Sequence, residues 1–196
     1  MAQKSIAYRL LLIGGSAGSL EAILQFLPAL KREPSLAIVL VLHRRAGESM
    51  LTELLQDKTD WQVKEAEEKE VIIPGTFYIA PADYHLLVEK EGTFSLDYSE
   101  RVHYSRPAID VTFETAAEAY GPAVMALLLS GANQDGTAGL RKIKEAGGLV
   151  LVQDPAEAVV SYMPKFALDH VAVDHVLPLK KVAPLVQWLV GKKSDS

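Results

Sequence analysis

The 196 residues carry 20 Lys and Arg against 25 Asp and Glu, a net charge of −5, with 49% hydrophobic residues and no cysteine. A chain without cysteine has no disulfide framework, thiolate zinc site or cysteine nucleophile, and it suits a reducing setting such as the cytoplasm. The longest apolar runs fall far short of the roughly 20 residues of a membrane span. Basic pairs such as Arg44-Arg45 and Lys192-Lys193 are short and scattered, which argues against a nucleic-acid surface.

Met1–Ala7 lacks the basic region, apolar stretch and cleavage site of a signal peptide. Tyr8–Ile13 is an apolar run closed by Gly14-Gly15, the pattern of a strand covered on both faces. A Gly/Ser turn follows, then Leu20, Ile23, Leu24 and Leu27 at helical spacing, with Pro28 near the helix end. Ala37–Leu42 reads as a second buried strand and Ser49–Gln56 as a short helix. The glutamate-rich stretch Glu65–Glu70 reads as a solvated face. Val71–Ile73, Thr76–Ala80, His85–Val88 and Phe94–Tyr98 are short and β-branched or alternating. With turns at Pro74-Gly75 and Glu91-Gly92, they predict a local antiparallel element beside the main sheet.

Helix is predicted over Ala108–Tyr120, strand over Ala123–Leu129 and helix over Gly136–Ala146, stopped by Gly147-Gly148. Leu149–Gln153 is the next strand, Pro164–His170 a short helix, and a C-terminal helix runs from beyond Leu177-Pro178 through Leu189. Strand and helix in alternation predict an α/β fold, a three-layer, doubly wound, mostly parallel sheet of Rossmann-like type. The expectation is one domain over 1–191 with a frayed tail at 192–196.

Sites in open parallel sheets form at the carboxyl ends of the strands. After the first strand stands Gly14-Gly15-Ser16-Ala17-Gly18, a G-x-S-x-G between strand and helix. Small neighbours let a tight turn project the Ser16 hydroxyl into a cleft near the positive end of the helix. The same residues also read as a Gly-rich turn with a serine cap. His43 follows the second strand directly. A neutral hydroxyl needs a base within hydrogen-bond reach, and histidine titrates near neutrality. Asp135 lies in the loop after the third buried strand, where it could orient the histidine or simply cap the next helix. No His pair has metal-ligand spacing, and no metal or cofactor is expected.

With these residues in view the chain resembles the catalytic domain of the CheB family, the chemotaxis protein-glutamate methylesterases. The matching segments include Ile13-Gly14-Gly15-Ser16-Ala17-Gly18, Val41-Leu42-His43 and Pro74-Gly75-Thr76-Phe77-Tyr78-Ile79-Ala80-Pro81. Others are Ser105-Arg106-Pro107-Ala108-Ile109-Asp110-Val111 and the stretch Leu129–Leu140; Ala146-Gly147-Gly148, Gln153-Asp154 and Met163-Pro164 complete the set. The resemblance implies a serine carboxyl-ester hydrolase. It would remove methyl groups from glutamates of methyl-accepting chemoreceptors, releasing methanol, and could also deamidate glutamines. By position Ser16 matches the nucleophile, His43 the base and Asp135 the orienting acid. The backbone N–H of Ala132, with that of Ala17, would form the oxyanion site. Arg106 is a candidate for binding substrate, or else an ordinary ion pair.

The chain departs from the family pattern at Ser16-Ala17-Gly18-Ser19, at Ser130-Gly131-Ala132-Asn133 and at Arg44-Arg45, which stands where a more apolar segment is usual. Members commonly carry an N-terminal receiver domain. Here the first strand begins a few residues in, so control by a separate regulatory protein is expected. Two other readings stay open: a non-catalytic or altered-substrate relative, and a nucleotide-binding Rossmann-type module. The second lacks G-x-G-x-x-G, a Walker lysine and an acidic residue after the second strand.

Overall fold

The computed structural model of the chain describes residues 7–45, 47 and 50–191. The strands are β1 (Leu10–Gly15), β2 (Ala37–Leu42), β3 (Gln62–Glu65), β4 (Thr76–Ile79), β5 (His85–Val88), β6 (Phe94–Asp97), β7 (Val124–Leu128), β8 (Leu149–Gln153) and β9 (His175–Leu177). The helices are α1 (Ser19–Phe26), α2 (Leu51–Gln56), α3 (Ile109–Tyr120), α4 (Thr137–Glu145), α5 (Tyr162–His170) and α6 (Leu179–Gly191).

Seven strands form one sheet in the order β3-β4-β2-β1-β7-β8-β9, parallel throughout. Every residue of β1 and β2 is buried, so neither strand shows polar alternation. The pleat sends alternate side chains into two cores. Leu11, Ile13, Ile38 and Leu40 pack with Ile23 and Phe26 of α1 and Val182 and Val186 of α6. Leu10, Leu12, Val39 and Val41 pack with Phe113 of α3, Leu140 and Ile143 of α4, and Met163 of α5. The result is three layers, as the strand–helix alternation predicts.

The antiparallel element is smaller than the sequence suggests. Among the described strands β5 and β6 alone pair antiparallel, with isolated antiparallel bridges at Val71–Thr93 and Val102–Ser105. Thr76–Ile79 instead joins the main sheet between β2 and β3. All four of its residues are buried, which an outlying hairpin would not provide. Two strands escape the sequence reading, β3 and β9. Both are sheet edges with exposed or half-buried polar residues, Gln62, Lys64 and Glu65 in one and His175 in the other. Of the predicted helix Ser49–Gln56, Leu51–Gln56 is helical and Ser49 lies outside the described residues, as does the tail 192–196.

β1 pairs with β2 on one side and β7 on the other. The chain winds outward in both directions from this point, and the crevice at the carboxyl ends of these strands is where such sheets place their sites.

Candidate active site

Ser16 is the first residue beyond β1. Its N–H donates to the Ser130 carbonyl at 2.9 Å, and the Ser19 hydroxyl donates to the same carbonyl at 2.6 Å. The Ser130 hydroxyl donates to the Ala17 carbonyl at 2.6 Å and accepts from the Val160 N–H at 2.8 Å. Ser130 N–H is held by Gln153 Oε1 at 2.9 Å. The Ser16 turn is thus fastened to the ends of β7 and β8. Gly18 closes it with φ +82°, and a Cβ there would stand 2.5 Å from Val159 Cβ. Glycine meets both demands at no steric cost. Among the described residues, neither the Ala17 nor the Ala132 N–H donates a hydrogen bond within the chain, so both remain available to an oxyanion.

His43 follows β2, its N–H donating to the Gly15 carbonyl at 3.2 Å. Its Nε2 lies 2.7 Å from Asp135 Oδ2, with the Asp135 side chain wholly buried and that of His43 11% exposed. Donation from Nε2–H to the carboxylate leaves the Nδ1 lone pair as the basic site. Ser16 and His43 line one cavity of about 550 Å³, walled by Leu20, Leu42, Leu51 and Leu54 and by Met50, which is 77% exposed. No hydrogen bond joins the Ser16 hydroxyl to His43 in this structure; unliganded catalytic pairs often tighten only around substrate.

Asp135 also accepts from the backbone. Ile109 N–H donates to Oδ2 at 2.7 Å and Asp110 N–H to Oδ1 at 2.8 Å, so the carboxylate sits at the positive end of α3. The arrangement is reciprocated. Asp110 Oδ1 accepts from the N–H groups of Gly136 and Gly139, at 2.9 and 2.8 Å, at the start of α4. Its Oδ2 accepts from His103 Nε2 at 3.0 Å. The two helices approach closely enough for this because residue 139 is glycine, where a Cβ would meet Phe113 Cβ at 2.4 Å. Burial, then the charge of Asp135, push the Asp110 carboxyl up to about 6, against the Gly139 and His103 hydrogen bonds.

His103, Asp110 and Asp135 gather their polar atoms within 4.8 Å, a composition that metal sites share. Here four backbone N–H groups and two imidazoles point at the two carboxylates, occupying the lone pairs a cation would take.

Arg106 sits on the wall of a second cavity, of about 630 Å³, which His43 also lines. Its Nε and Nη2 donate to Asp83 Oδ1 at 3.3 and 2.8 Å, and its Nη1 to the Ser99 carbonyl at 2.8 Å. The guanidinium lies 3.7 Å from the centre of the Tyr98 ring. The guanidinium is thus an ion pair stacked on an aromatic, on the wall of a cavity that His43 shares. Asp110 and Ser130 lie within the matching segments, but the sequence marks neither as a site residue: one is an acid in the first turn of a helix, the other a serine closing an apolar strand.

A family model described as CheB methylesterase matches residues 11–186. The chain belongs to the CheB methylesterase family. It is 47% identical over 181 residues to a putative protein-glutamate methylesterase/protein-glutamine glutaminase of Leptospira interrogans, covering 91% of this chain and 93% of that one. It is 37% identical to the protein-glutamate methylesterase FrzG of Myxococcus xanthus, spanning 93% of this chain but 55% of FrzG. The crystal structure of the Thermotoga maritima CheB methylesterase catalytic domain superposes with a TM-score of 0.88 at 34% identity, covering 95% of this chain and 100% of that chain. The doubly wound sheet is therefore the CheB catalytic fold. No described helix of this CheB-family chain is long and apolar enough to cross a membrane.

Proposed function

We propose that this chain is a serine hydrolase that cleaves γ-methyl esters of glutamate side chains on chemoreceptors and releases methanol. The observation that carries the reading is the 2.7 Å bond between His43 and buried Asp135, made beside the cavity that Ser16 lines. Membership of the CheB family supplies the substrate class.

In this reading His43 Nδ1 takes the Ser16 proton as the serine oxygen attacks the ester carbonyl. The Ala17 and Ala132 N–H groups receive the oxyanion. Asp135 steadies the imidazolium, which passes its proton to methoxide as the carbon–oxygen bond breaks. Water then adds to the acyl-enzyme by the same path and the glutamate carboxylate leaves. A glutamine amide would follow the same route with ammonia as leaving group, in keeping with the double name of the Leptospira relative. The setting is cytoplasmic.

The test is methanol release from methylated chemoreceptor membranes by the wild type and by Ser16→Ala. The variant should lose about 10⁴-fold or more in rate, because members of such a triad act as a unit. A Ser16→Ala protein with near wild-type release would exclude Ser16 as nucleophile.

A further inference from the structure

Four arginines, Arg44, Arg45, Arg101 and Arg106, line the 630 Å³ cavity, with Asp83 as its single acidic residue. This concentration stands out in a chain of net charge −5. Two of the four are engaged internally. Arg106 is paired with Asp83, and Arg44 with Glu65 and the Ala80 carbonyl. Arg44 Nε remains buried without an acceptor. Arg101 is 63% exposed and reaches only within 3.9 Å of Asp83, which Arg106 already holds at 2.8 Å. Arg45 is exposed and forms no ion pair among the described residues. Among the described residues the cavity therefore keeps about two uncompensated positive charges. They face a space that meets the more apolar one at His43 and Arg44, which line both.

The two spaces ask different things of a ligand. The side walled mainly by Leu20, Leu42, Leu51 and Leu54, with Glu53 and Asp57 also in its lining, suits an uncharged ester and its methyl group. The basic side suits anions a short distance away on the same molecule. A carboxylate one helical turn from the ester is about 5–6 Å off. Two residues along an extended segment is about 7 Å. Either lies within the reach of flexible arginines on the adjoining wall.

Resting on the methylesterase reading, we infer that Arg45 and Arg101 select substrate segments in which further carboxylates flank the esterified glutamate. Arg44 and Arg106, held by Glu65 and Asp83, shape the wall between them. The pair acts on recognition of the acidic segment, and the bond-breaking steps at Ser16 and His43 are separate from it.

Three synthetic substrates test this by methanol release: a peptide with one γ-methyl glutamate flanked by Glu, the same peptide flanked by Gln, and a blocked single glutamate γ-methyl ester. The wild type should favour the Glu-flanked peptide through KM, and rising salt should erase the preference. Arg45→Gln or Arg101→Gln should raise KM for that peptide about 2–5-fold each, with kcat held. The double variant should treat the two peptides alike. The loss should be absent for the blocked single ester, which also reports that the variants are folded. A wild type indifferent to the flanking residues would overturn the inference, and so would an equal loss on all three substrates. Release of methanol from none of them, with Ser16→Ala as the reference, would instead remove the methylesterase reading itself.

Discussion

Asp135→Asn separates the chemistry of the site from its architecture. The wild-type carboxylate accepts three hydrogen bonds, from His43 and Ile109 N–H at Oδ2 and from Asp110 N–H at Oδ1. Asparagine has one acceptor oxygen. If the amide nitrogen replaces Oδ2 it faces the Ile109 N–H, and if it replaces Oδ1 it faces the Asp110 N–H. Either way one buried donor is orphaned, at about 1–3 kcal/mol, and the remaining bonds lose their charge assistance. Relief of the repulsion with Asp110 works the other way, so the net loss of stability should be about 2–4 kcal/mol. The rate should fall much further, by about 10³–10⁴-fold, because the imidazolium forms without its anion. Urea unfolding gives the first quantity and methanol release per folded molecule the second. A folded Asp135→Asn protein within tenfold of the wild-type kcat would refute this account of the His43–Asp135 pair.

Asp110→Asn is the companion, since it disturbs the same crossed helix starts without touching His43. The carboxyl of Asp110 titrates near 6 when folded, above the roughly 3.9 of an unfolded chain. The folded state thus holds its proton longer, and this contribution to stability is complete below pH 4 and lost as pH rises through 6. The stability of Asp110→Asn relative to wild type should therefore improve between pH 4 and pH 7, by about 1–3 kcal/mol. Urea midpoints at several pH values check this, and a difference flat with pH would contradict it. Gly18→Ala should cost about 1–3 kcal/mol, combining a left-handed backbone with a contact against Val159. Its kcat should fall as the Ser16 turn shifts, as stopped-time methanol assays would show. Ser130→Ala removes the hydroxyl that joins Ala17 to Val160, and should lower the thermal midpoint and raise proteolytic nicking near residue 160.

The parts of the fold legible in sequence are those whose burial is complete. β1, β2, β7 and β8 announce themselves as apolar runs because helices cover both faces. β3 and β9 do not, since an edge strand with one covered face and few residues resembles a loop. Thr76–Ile79 was legible as a strand but not as a member of the main sheet, because pairing partners are a property of three dimensions. The same division runs through the site. Ser16 and His43 follow their strands directly, and Asp135 stands in the loop after a third, so topology alone brings them to one crevice. Asp110 bonds to groups 25 to 29 residues away, and only the packing of α3 on α4 creates those contacts. For Arg106, sequence supplies the charge but not the partner. Asp83 lies 23 residues upstream, and only the fold brings it to the guanidinium.

Asp135 and Asp110 each sit at the N-terminus of the helix that begins with or beside the other. Each carboxylate is held by amides that the other's helix brings into place, so the position of Asp135 depends on the register of α3 against α4. Gly139 permits that register by leaving room for Phe113 and the Asp110 backbone. The cost is two acids held close in a buried setting, visible in the raised Asp110 carboxyl. The gain is an Asp135 whose lone pairs are directed by fixed backbone groups, leaving one direction free toward His43. The placing of the His43 ring is thus built from helix starts, with only the Asp135 side chain between its Nε2 and those backbone amides. It follows that a substitution widening the α3–α4 contact, though remote from Ser16, should alter the rate before it alters the fold.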